Sequence, residues 1–395
     1  METPLLSVSK GLGRLAARCG STITLGIWYR YGRTGQTRDL PLSAQLFELY
    51  HIPMAKQRLG MSPHLSPLNI KGDIVMINIR KNLNQLSPVE KSKLVSAFLK
   101  LKYYPSPISG RTYDTYVRWH LETMFFALYP GGFYSYAHGI PGFLPWHRQY
   151  LRLLELDLQA VADDDSLMIP YWDWTTDGAD SSMWSNDFLG PNGDAANNGI
   201  VPSGPFSYQA NRWSLNIRDE GEAGLELRRA FGQGVELPKV EAVRQGLDIT
   251  PFDVSPWNAR VDTAQSFRSY LERVLHNVGH RWIGGSMLSM TSPNDPVFFL
   301  HHCNVDRLWA KWQDAHLELS YLPLLPIPGV PGSGIDEIMP PFGVNVRSVL
   351  DHWVLGYGYD GKAADDAPLA GLAPEVMMAP MNGDIGDWRK NPFQF

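Results

Sequence analysis

HNVGHRWIGGSMLSMTSPNDPVFFLHHCNVD, residues 276–306, carries four of the chain's eleven histidines. His276 and His280 are four apart, so a helix presents both on one face. His302 opens a second helical pattern, with His301 beside it. The Pro- and Gly-bearing segment between them lets the chain turn back on itself. Three imidazoles brought to one point make a metal site. The rest of the chain decides whether a second such set exists.

Working outward, SFRSYLERVLHNVGHRW (266–282) reads as a helix with Phe267, Leu271, Leu275 and the two histidines along one side. HHCNVDRLWAKWQDAH (301–316) reads as another. Upstream, a helix is expected over TYDTYVRWHLETMFFALY (112–129), where Tyr113, Tyr116, Val117, His120 and Met124 share a face. On local grounds alone His120 is a core histidine. A Gly/Pro-rich loop then contains His138, and a helix starts near Pro145. In that helix His147, Leu151, Leu154 and Leu158 are spaced i, i+4, i+7, i+11, so His147 shares a buried face with leucines. A histidine there needs a partner, and copper, zinc or a buried carboxylate would each serve.

Four candidate helices therefore bear His120, His147, the His276/His280 pair and His302, and a loop bears His138. The pattern fits a mainly α fold: a four-helix bundle lined by inward ligands, with long irregular loops and a few short strands. Two all-imidazole groups of three, with no ligand thiolate or carboxylate close by, favour copper or zinc. They argue against structural zinc, and against di-iron sites, which mix Glu with His. They suit a copper pair cycling between Cu(I) and Cu(II) with dioxygen between the metals.

On these residues the sequence resembles the tyrosinase family of type-3 copper proteins, its bacterial members most of all, from roughly Arg80 to Asp360. The resemblance is carried by YDTYVRWH, His138, GFLPWHRQYLRLLE, IPYWDW (169–174), HNVGHRWIGGSM, SPNDPVFFLHHCNVDRLWAKWQ and the Tyr357-Gly358-Tyr359 triplet. It implies one copper on His120, His138 and His147 and a second on His276, His280 and His302, with dioxygen as co-substrate. Within the His301–His302 pair the second residue takes the ligand position. His301 is then a packing or supporting residue, and Asp306 orients His302 or caps its helix.

The implied reaction is ortho-hydroxylation of a small phenol and oxidation of o-diphenols to o-quinones. A phenol must arrive as phenolate, so a base is needed. The resemblance implies that Glu272 and Asn277 hold a water for this purpose. The spacer from Glu272 to His276 is about one helical turn shorter than the resemblance leads one to expect. A solvated helix carboxylate is the plainer reading of Glu272. Arg281 is placed to orient a substrate carboxylate, and Met290 to overlook the first copper. Tyr136 stands where fungal and plant relatives often carry a Cys crosslinked to the second ligand of the first copper. Cys303 points about 100° away from His302 and reads as a small buried residue. Alternatives are a catechol or o-aminophenol oxidase without hydroxylase action, and a non-catalytic oxygen carrier. A zinc hydrolase built on His276-x-x-x-His280 is disfavoured, because Asn277 replaces the general-base Glu of HExxH.

Composition bounds the rest. Hydrophobic residues make up 44% of the 395, enough for a large core, and aromatics 12%, with 13 Trp and 17 Tyr. A net charge of −5 gives no case for nucleic acid, and no stretch is apolar enough to span a bilayer. Two cysteines, Cys19 and Cys303, exclude a disulfide framework. The N-terminal stretch lacks the apolar region of a secretory signal, so a cytoplasmic location is the expectation. A copper-delivering partner and a homo-oligomer are both compatible with this reading.

Three regions are expected: an N-terminal extension at 1–75, the di-copper domain at 76–360, and a tail at 361–395 that packs on or near the site. The extension holds a candidate strand at 21–32, a helical pattern at 42–60 and the isolated His51 and His64. Ser87, Pro88 and Glu90 mark a helix start. Residues 165–265 read as a long excursion with one helix near 222–231, and 349–360 as a strand. Met377, Met378, Met381, Phe393 and Phe395 mark the tail.

Overall fold

Ser87 starts the first long helix, α1 (Pro88–Tyr103). Its hydroxyl accepts from the Glu90 N–H, and the Glu90 carboxylate accepts from the Ser87 N–H, so two otherwise orphaned donors are satisfied. α1 buries Leu94, Ala97, Phe98 and Leu101. The structure, a computed structural model, describes residues 69–366 apart from breaks at 71–72, 75–76, 124–126, 130–131, 220–221, 223, 258–265, 320 and 327–333. The readings at 21–32 and 42–60, His51, His64, Cys19 and the tail's methionines and phenylalanines lie outside the described residues.

Four helical pieces follow that matter for the site. α2 (Tyr113–Thr123) is shorter than the periodicity predicts, because residues Ala127–Tyr129 and Gly132–Tyr134 pair as an antiparallel hairpin. α3 (Phe143–Ala162) stops at Asp163, which is in the left-handed region at φ 53. A helical run over 267–283 has three parts: α4 (Phe267–Tyr270), a π turn (Leu271–His276) and α5 (Asn277–Ile283). α6 (Val297–Ala315) is buried on nearly every side from Val297 to Ala310, the mark of a central helix. α3 packs on both α1 and α6, and α1 on α2.

A parallel pair, β1 (Asn78–Arg80) and β2 (Tyr357–Tyr359), closes this core with the register Asn78↔Tyr357 and Arg80↔Tyr359. The strand expected over 349–360 is confined to β2, since Val346–Val349 forms a 3-10 turn.

Two expectations within the excursion are corrected. The segment near 222–231 is not helical. Its backbone pairs across space instead: Val201 N–H to Leu227 O and Arg229 N–H to Gly199 O, each at 2.9 Å. Gly224 and Gly232 hold positive φ at its two ends, and Arg229 is drawn into a buried pair with Asp295. Long-range pairing thus outweighs local propensity. Val240–Asp248 is a helix that the periodicity did not predict; it buries Ala242, Val243 and Gly246.

Candidate metal centre

α2 carries His120, the loop before α3 carries His138, and α3 carries His147 in its second turn. Their ring centroids lie 5.0 Å (120–138), 5.0 Å (138–147) and 5.8 Å (120–147) apart. The π turn and α5 carry His276 and His280, and α6 carries His301 and His302. His276 lies 4.6 Å from His280 and 4.7 Å from His302. The two groups adjoin, with His147 stacked on His302 at 4.1 Å and 16°. Phe298 also stacks on His302, at 4.1 Å. One ligand-type atom from each of His120, His138 and His147 lies within 4.8 Å of the others. The same holds for His276, His280, His301 and His302.

Four of the imidazoles are aimed by their Nδ1 nitrogen. The Nδ1–H of His120 donates to Met290 O at 2.7 Å, that of His147 to Phe143 O at 2.8 Å, and that of His280 to Met287 O at 2.8 Å. His276 Nδ1–H donates to Asn277 Oδ1 at 2.8 Å. These bonds set the tautomer and leave Nε2 as a lone pair facing inward. Burial pushes every one of these rings down in pKa, His120 to about 3 and His280 to about 4. All are neutral donors at pH 7.

The fit to a metal rests on orphaned atoms. Among the described residues, Nε2 of His120 and of His147 is buried with no hydrogen-bond partner, and Nε2 of His276 meets Nε2 of His302 at 3.2 Å. An unsatisfied buried polar atom costs about 1–3 kcal/mol, so several brought together call for an occupant. Neutral imidazole sets suit copper or zinc.

The remaining predicted residues are placed as follows. Glu272 lies in the π turn, 4% exposed, so it is not a solvated carboxylate. Burial raises its pKa against the opposing pull of Arg268 and the Gly139 N–H. Asn277 is half-buried and holds His276. Arg281 is half-buried, with a buried Nε that has no partner among the described residues, and burial lowers its pKa. Met290 is buried, and its carbonyl serves His120.

Asp306 accepts from Arg80, Arg148, Tyr357 and Tyr359, so its carboxylate ties α6 to β1, α3 and β2. Those four donors, rather than the His302 ring, are its partners. His301 is fully buried and belongs to the second group, closer to the site than its sequence reading implied. Gly279 makes room for it: a Cβ there would meet His301 Cε1 at 2.4 Å. Cys303 is buried and donates to Ile169 O. The carbonyls of Phe143, Met287 and Met290 carry no signal in sequence, because any residue supplies one.

Two adjoining all-imidazole groups inside a helical bundle fit the class of dinuclear metal proteins. Comparison with known proteins names the family. A profile of the common central domain of tyrosinase matches residues 110–315, just over half of the chain. Tyrosinase of Streptomyces antibioticus is 40% identical over 283 residues, covering 70% of this chain and 97% of that protein. Grixazone synthase of Streptomyces griseus is 38% identical over 290 residues, covering 65% and 91%. In fold, the chain is similar to a polyphenol oxidase of Thermothelomyces thermophila, with a TM-score of 0.53 at 21% identity over 72% of this chain and 89% of that one. The chain belongs to the tyrosinase family and is a copper-dependent oxidoreductase.

Proposed function

We propose that this chain hydroxylates small monophenols at the ortho position and oxidises o-diphenols to o-quinones, with dioxygen as co-substrate. His120, His138 and His147 hold one copper ion, and His276, His280 and His302 hold the second. The pair of adjoining neutral imidazole groups carries the reading. Bound copper supplies oxygen binding and electron transfer; the chain supplies everything else.

The aromatic walls keep the site dry: Phe143 lies 5.0 Å from His276, and Phe298 covers His302. Asn277 spends its oxygen on His276 and keeps its NH2 group. The Glu272 carboxylate, with one bond on each oxygen, keeps lone pairs. These groups are suited to hold the water that takes the phenol's proton. Arg281, whose guanidinium is partly buried and pairs with no carboxylate among the described residues, suits a substrate carboxylate.

A second reading, oxidation of o-diphenols or o-aminophenols without hydroxylation, is favoured by one observation: a relative at 38% identity is named grixazone synthase rather than tyrosinase. Metal analysis and oxygen uptake decide. Two coppers per chain, and steady uptake with a monophenol and no added diphenol, are expected. Uptake with diphenols alone would leave the second reading, and no bound copper would sink both.

A further inference from the structure

Among the candidate ligands His138 alone sits on a loop, so no helical ladder holds it in place. Two bonds do. Ser135 Oγ accepts from the His138 N–H at 3.1 Å, and on the other side of the same residue the Gly139 N–H donates to Glu272 Oε1 at 2.6 Å. Gly139 is in the left-handed region at φ 74, where its amide turns out of the loop at little cost. Glu272 belongs to the other group's helical run, four residues before His276.

The carboxylate is itself aimed. Arg268 Nη1 donates to Glu272 Oε2 at 3.0 Å, and Arg268 Nε donates to Asp253 Oδ2 at 2.8 Å. Asp253 and Arg268 are fully buried. Two buried carboxyl groups thus share one guanidinium, and the remaining Glu272 oxygen, Oε1, grips the Gly139 amide beside two sites built for cations.

We propose that Glu272 is a positioning residue for the first triad: held by Arg268 and Asp253, it fixes His138 through the Gly139 N–H and ties one triad's loop to the other triad's helix. This rests on the copper reading of the triads, and it is separate from holding a substrate's water.

The test reads copper affinity rather than turnover. Full-length protein carrying both His276→Ala and His280→Ala, in which the second group is reduced to His301 and His302, is titrated with Cu(I) against a chromogenic Cu(I) chelator, so that the first triad is read. Adding Glu272→Ala is expected to weaken the remaining site at least ~10-fold, the scale on which outer partners of metal-binding histidines act. Glu272→Gln keeps an oxygen for the Gly139 N–H and is expected to recover most of the loss. Equal affinity with and without Glu272→Ala overturns the proposal, and so does a Gln variant no better than Ala. Should Glu272→Ala lose its far-UV CD signal, Arg268→Lys takes its place. It keeps the charge beside Asp253 but withdraws the donor from Glu272, and a few-fold weakening is expected; none overturns the proposal. Failure of the unaltered protein to bind copper sinks the copper reading instead, before any Glu272 variant is made.

Discussion

An imidazole has two nitrogens, and this site uses them for different ends. Four rings donate Nδ1–H to an oxygen, and three of those oxygens are main-chain carbonyls that substitution cannot remove. The fourth, Asn277 Oδ1, can be removed. Asn277→Ala is expected to fold, yet to lose ~10–100-fold in copper affinity at the second group, as supporting residues of metal-binding histidines do. Unchanged copper retention against a chelator would count against Asn277 as the residue that aims His276. The same rings set a pH dependence. Burial holds His120 to about 3 and His280 to about 4, below the ordinary value near 6.5. The unfolded chain therefore takes up protons first as pH falls, and stability falls with it. Copper-free protein is expected to be fully stable above about pH 6.5 and to weaken progressively toward pH 4. Urea melts from pH 8 to pH 5 check this, and a flat midpoint would contradict it.

At the scale of elements, the π turn Leu271–His276 holds the greatest leverage. It closes with the Asn277 N–H on Glu272 O, five residues back rather than four. Removing one residue from it, such as Val274, would leave an ordinary helix. Everything before the deletion would then rotate by about 100° relative to His276. Such a protein is expected to keep its helical CD signal while Glu272 leaves Gly139, with copper binding at the first group the measured loss. Full copper binding would show that the turn is incidental.

The helices around the histidines were legible because ligand spacing and leucine spacing agree, as in His147, Leu151, Leu154 and Leu158. The Ser87 cap was legible because its chemistry is local. The π turn was not, since LERVLH reads equally well as α-helix. The segment near 222–231 misled because its partners, Gly199, Val201 and Asp295, are remote in sequence. In the site, the histidine groups could be read from residue type and spacing. What aims them could not, because carbonyls and the Gly139 amide have no signature. His301 was underrated for a different reason: its place beside His276 depends on the missing Cβ of Gly279.

At the scale of the whole molecule, one of several buried ionic groups ties the two ends of the core together. Arg80 pairs with Glu155 and Asp306, Arg148 pairs with Asp306, and Arg80 lies 3.6 Å over the Tyr357 ring. Asp306 is held down to about 2, burial opposing while Arg148 and Arg80 pull it lower. Its folded pKa lies below its unfolded one, so its contribution is present above about pH 4 and lost as pH falls toward 2. Asp306→Ala leaves two buried guanidinium groups short of a partner, and is expected to cost about 3–5 kcal/mol and to lower the melting temperature by on the order of 10 °C. A melt within a degree of the unaltered protein would refute that role. The cluster also joins Arg80 to Tyr359, 279 positions apart in the chain. A contact of such range forms late in folding, because the intervening loop must close first. Until β2 arrives, Arg80 has no ring to lie on and Asp306 lacks two of its donors. A ribosome making this protein must therefore synthesise nearly the whole core before its first strand can settle. The histidine groups, whose residues all lie between the two strands, are complete in sequence before the clasp around them can shut.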